Sequence, residues 1–131
     1  MSISAVGAYS SSQVQQSNGL DPNVIQALED IDGLNEDIAS LMSLLESGKG
    51  TPQQIAALQQ KIAADSSQLD GFMSSHASSF TSEELSIAKG LDAEAGNLAM
   101  LPPQDAIDIS HVAGFIQAYS SILHAMLFPT K

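Results

Sequence analysis

Five carboxylates crowd one short stretch of the chain, Glu29, Asp30, Asp32, Glu36 and Asp37. Oxygen ligands at this density are what a hard cation such as calcium requires. A calcium loop begun at Asp30 fails, however, at three positions. Leu34 stands where a polar ligand belongs, Asn35 where the turn needs glycine, and Leu41 where a bidentate glutamate closes the site. The stretch reads instead as a solvated helix face. Asp108 and His111 lie three residues apart and can share a helix face, which is half of an acid–base or metal pair. His124 cannot complete it, because thirteen residues at about 100° each turn it away from His111. His76 sits among serines and has no acidic or histidine neighbour in sequence. The chain has no cysteine, so thiol chemistry and disulfides are excluded. Gly-x-Ser-x-Gly, phosphate-loop, dinucleotide and zinc-ligand patterns are likewise missing. The expectation is a protein without catalytic residues, metal or cofactor.

Charge excludes further classes. Fifteen carboxylates face four lysines (Lys49, Lys61, Lys89 and Lys131), arginine is absent, and the net charge is −11. Phosphate and base recognition depend on arginine and lysine clusters, so nucleic acid is not a partner. No polybasic segment holds an anionic membrane surface either. What remains is binding to other protein chains. With 44% apolar residues in 131, some apolar surface is expected to exceed what so small a core can bury.

The elements that carry these residues are helical. Asp21-Pro22 offers a cap followed by proline at the first helical position, and a helix is expected over about 22–47. Ser47-Gly-Lys-Gly50 ends it. Thr51-Pro52 with Gln54 is a capping box that opens a second helix, about 52–74. A connector this short makes the two an antiparallel hairpin. Its packing residues are expected to be Leu28, Ile31, Ile38 and Leu45 on the first helix and Ile55, Leu58, Ile62 and Leu69 on the second. Thr81 with Glu84 is another capping box, opening a helix over about 82–100 that Gly90 and Gly96 weaken. Leu101-Pro102-Pro103 breaks it, and a last helix is expected over about 104–128. The fold class is therefore all-α: a hairpin plus two further helices, forming a single domain over 21–131. Residues 1–20 are a Ser/Gln-rich leader without a cleavable secretory signal, expected to be flexible or ordered only in an assembly.

The last helix is the most informative. From Ile109 to Phe128 there is no Asp, Glu, Lys or Arg. That is about 30 Å of helix, the thickness of a bilayer core. Ser110, His111, Gln117, Ser120, Ser121 and His124 interrupt it, so a membrane span is not favoured. A helix apolar nearly all round is otherwise buried. One side is expected to meet the hairpin and the rest another protein, through Ile109, Val112, Phe115, Ile116, Tyr119, Ile122, Leu123 and Met126.

The uncleaved leader Met1 to Ser17, the turn Ser47-Gly-Lys-Gly-Thr-Pro52 with Gln53 to Ile62, and the apolar close Ile116 to Phe128 resemble the needle or filament subunits of bacterial type III secretion systems. The resemblance implies a non-enzymatic, self-assembling subunit, exported without cleavage to the cell surface or beyond, whose partners are its own copies, a secretion chaperone and other secretion-system proteins. The alternative expectation is a small acidic cytoplasmic chaperone or adaptor that covers an apolar helix of a client.

Overall fold

The computed structural model describes residues 21–128. The expectation for residues 1–20 lies outside the described residues. Among the described residues four α-helices follow one another: α1 (Pro22–Ser47), α2 (Pro52–Ser75), α3 (Ser82–Met100) and α4 (Ala106–Leu127). One 3₁₀ turn, Ala77–Ser79, joins α2 to α3.

Local chemistry explains each boundary. The Asp21 side chain accepts from the Asn23 N–H, and Pro22 follows in the first turn, where a missing N–H costs nothing. Gly48 closes α1 with φ +68°, a left-handed conformation that glycine adopts without a Cβ clash. Both expected capping boxes are formed, Thr51 with Gln54 and Thr81 with Glu84. The last helix begins two residues later than expected. Gln104 stays outside it, and Asp105 caps α4 by accepting from the Asp108 N–H. An unread aspartate cap explains the difference.

Each helix packs on the next, and α4 returns to α1 to close a four-helix bundle. The α1–α4 seam is the least extensive of the four. Connectors of a few residues force neighbours to run antiparallel. Cross-helix bonds follow that register. Asn23 and Asp21 at the start of α1 bond Ser79 just past the end of α2, and Gln59 of α2 reaches the far end of α3.

The bundle interior is two apolar clusters stacked end to end. One contains Leu34, Ile38, Leu41, Ile62, Leu91 and Ile116, and the other Leu28, Ile31, Leu69, Met73 and Leu123. Inward positions on α2 are Ile55, Gln59, Ile62, Ser66, Leu69 and Met73, and on α4 Ile109, Ala113, Ile116, Ser120, Leu123 and Leu127. Both sets step by four and three residues, the 3.5-residue period that holds a seam against neighbouring helices. Ser66 and Ser120 sit in sequence between the members of the two clusters. The Ser120 hydroxyl donates to Asn35 Oδ1 at 2.5 Å, whereas the Ser66 hydroxyl is buried without a partner among the described residues.

Six of the expected hairpin residues, Leu28, Ile31, Ile38, Ile55, Ile62 and Leu69, are buried. Leu45 and Leu58 are partly buried against the same core. The α3 helix runs unbroken through both of its glycines. At Gly90 the reason is contact: a Cβ there would lie 3.1 Å from Tyr119 Cε1, so the missing side chain lets the α4 tyrosine lie against α3.

Candidate protein interface

The acidic stretch that invited a cation falls inside the continuous α1 helix, where no ligand loop can form. Its carboxylates are managed by helix contacts instead. Lys61 of α2 sits 3.2 Å from Asp37 and 3.4 Å from Asp65, and these two carboxylates raise its pKa. Burial raises the pKa of Asp65, and Asp37 beside it pushes the same way. Burial raises Glu29 as well, with Asp30 and Asp32 adding to it. Burial also raises Asp30, opposed by a hydrogen bond from Gln26. A second lysine repeats the arrangement between α2 and α3: Lys89 lies 3.5 Å from Asp70. Asp92 there is raised by burial and then by Asp70. Among the described residues no three histidine or acidic side chains converge as a metal site.

The three histidines are separated by the fold. His111 is exposed near the start of α4. Asp108 turns its carboxyl to Asp105, whose hydrogen bond and charge raise its pKa. His124 faces α1, 3.7 Å from Asp32, and stacks on Phe128. At the end of α2 the His76 Nδ1 lies 2.9 Å from the Phe72 carbonyl.

The apolar residues of α4 divide into two interleaved stripes. Ile109, Ile116 and Leu123, expected on the partner face, are each 0% exposed and belong to the bundle core. They face the core and not a partner, because the 4-3-4-3-4 stripe that contains them also carries Ala113 and Ser120, whose small size lets α4 sit close to its neighbours. Val112 and Tyr119 are partly buried at the edge of the core. Phe115 (59%), Ile122 (49%) and Met126 (36%) point outward. Two outward residues were not in the expected set, Ile107 at 73% and Phe128 at 38%. Ile107 was legible as an apolar residue one helical turn before His111, but it precedes the charge-free run.

Ile107, His111, Phe115, Ala118, Ile122 and Met126 fall within about 100° of one another around α4. They form one continuous strip, with exposed Ala118 and Ala125 as low points. Exposed apolar patches of this kind on a small helical bundle are candidate contact surfaces. Beside the strip's N-terminal end, Met42, Leu45, Glu46, Ala106, Ile107, Ser110 and His111 line an open groove of about 290 Å³ between α1 and α4. No described helix is long and apolar enough to cross a membrane.

No protein-family model, curated protein or solved structure matches the chain.

Proposed function

We propose that this chain is a non-enzymatic structural subunit that associates with its own copies, as a secreted component of a bacterial protein secretion system. The observation that carries self-association is the outward strip of α4: Phe115, Ile122 and Met126 lie exposed in a run without a charged residue, on a molecule of net charge −11. Two such molecules repel over most of their surfaces. The strip is where they can approach and remove apolar area from water. Export and the secretion-system setting rest on the resemblance carried by the leader, the hairpin turn and the apolar C-terminal stretch.

Sedimentation and light scattering over a wide concentration range, with negative-stain microscopy, test the reading. Mass that rises with concentration supports it. A monomer at every concentration sinks it, and stable capture of an apolar helix from a second protein by that monomer favours the chaperone alternative. Phe115→Asp with Ile122→Asp should abolish the rise in mass while circular dichroism stays helical.

A further inference from the structure

We infer that the first contact between copies is an antiparallel, twofold pairing of α4 with α4 that crosses at Ala118, an inference that rests on the self-association reading. Three observations carry it.

The first is size. Exposures of 73% at Ile107, 59% at Phe115, 49% at Ile122 and 36% at Met126 leave on the order of 400 Å² of apolar side chain per copy. A pair then buries on the order of 1,000 Å² once the alanines and His111 are included, at the lower edge of specific interfaces. A much shorter overlap would fall below it. Overlap along most of the strip is required, and a twofold axis near its middle supplies that.

The second is shape. Ala118 is exposed at the middle of the strip, and at Gly114, one turn before it, an added Cβ would meet nothing within 4 Å. Small residues at a crossing point let two helix backbones come close. With the axis at Ala118, Phe115 of one copy lies opposite Ser121 of the other, one residue from Ile122, and the reciprocal contact follows. Each large side chain then packs beside a large one on either flank of the low centre.

The third is charge, which decides the direction. The charged groups of α4 are concentrated at its start, where Asp105 and Asp108 already crowd each other and Glu46 lines the adjoining groove. A parallel pair would stack these acids on their copies. In an antiparallel pair, ten residues from Asp108 to the axis on each side separate the two Asp108 residues by about 30 Å. That exceeds the Debye length of about 8 Å at physiological salt, so the repulsion is screened away.

The chain contains no cysteine, so single cysteines report the geometry directly. In the full chain, Ala118→Cys and Ile107→Cys are oxidised with copper–phenanthroline at a concentration where the unmodified chain sediments as a dimer. Ala118→Cys should convert to covalent dimer, because the two Cα atoms at the axis can come within the roughly 7 Å a disulfide spans. Ile107→Cys should stay monomeric on a non-reducing gel, since its copies lie about 30 Å apart. Both sites are exposed, and helical circular dichroism confirms folding. Cross-linking of both variants indicates a parallel pair and overturns the antiparallel assignment. Failure of Ala118→Cys to cross-link, with wild-type dimer present, places the contact elsewhere and also overturns it, leaving self-association intact. A wild-type chain that never leaves the monomer overturns the self-association reading itself.

Discussion

Replacing Gln59 tests how α3 is ended, and the structure sets the magnitude. Gln59 is 1% exposed, and its Nε2 donates to the Leu98 carbonyl at 2.7 Å and the Leu101 carbonyl at 3.0 Å. These acceptors lie where the last turn of a helix runs out of intrahelical donors. Gln60 does the same for Ala99 at 3.1 Å from a more exposed position. Methionine at position 59 keeps the volume and removes the donor. Leu98 retains a bond from the Leu101 N–H, so one acceptor rather than two is left bare. A fully buried carbonyl left unsatisfied costs about 1–3 kcal/mol, and that of Leu101 is part-buried. Gln59 Oε1 has no partner among the described residues, so its removal offsets part of that. Gln59→Met should therefore lose about 1–2 kcal/mol. Gln59→Glu should lose more at pH 7, because it sets a buried carboxylate against carbonyl oxygens, and recover as the solution is acidified and the carboxyl becomes a donor. Urea unfolding followed by circular dichroism at pH 7 and pH 5 measures both. Equal stabilities for Gln59→Met and wild type, or a Gln59→Glu variant with no gain at pH 5, would refute the capping argument.

Further outcomes follow from the same geometry. Ile116→Asp places a charge at a 0% exposed site and should unfold the bundle, whereas Ile122→Asp at a 49% exposed site should, at a concentration where both chains are monomeric, leave the melting within about 2 °C of wild type; similar melts for the two would contradict the division of α4 into inner and outer stripes. Gly96→Ala, with open space around its Cβ, should gain up to about 1 kcal/mol of helix stability in urea. Gly90→Ala, 3.1 Å from the Tyr119 ring, should gain none, and equal gains would show that the tyrosine yields freely. Glu29, Asp30, Asp65 and Asp92 have folded pKa values raised above their ordinary ones, so folding takes up protons and stability grows as pH falls toward the carboxylate range. Asp21 is lowered, chiefly by the Ser79 hydroxyl, so its contribution is present above its ordinary pKa and is lost as pH falls below it. The melting temperature should rise as pH falls from 7 toward the ordinary carboxylate range of about 4, the Asp21 contribution being lost only below it; a fall over that interval would contradict the burial of these carboxylates.

The four helices, three of their caps and the hairpin turn were legible in the sequence because each rests on neighbouring residues. A capping box needs residues three apart, a proline acts on its own turn, and a glycine at Gly48 needs no distant partner. The absence of catalytic motifs was legible for the same reason. The inner face of α4 was not. Its two stripes, Ile109-Ala113-Ile116-Ser120-Leu123 and Val112-Phe115-Tyr119-Ile122-Met126, have the same heptad spacing, and the second is richer in large apolar residues. Hydrophobicity alone would turn the second inward. Only the tertiary structure decided for the first, because the space left by the other three helices accommodates Ala113 and Ser120 at close approach, gives the Ser120 hydroxyl its partner in Asn35, and lets Tyr119 lie on Gly90 at the edge. Packing volume and hydrogen-bond satisfaction depend on residues up to 85 positions apart. Local sequence pattern carries no information about that choice.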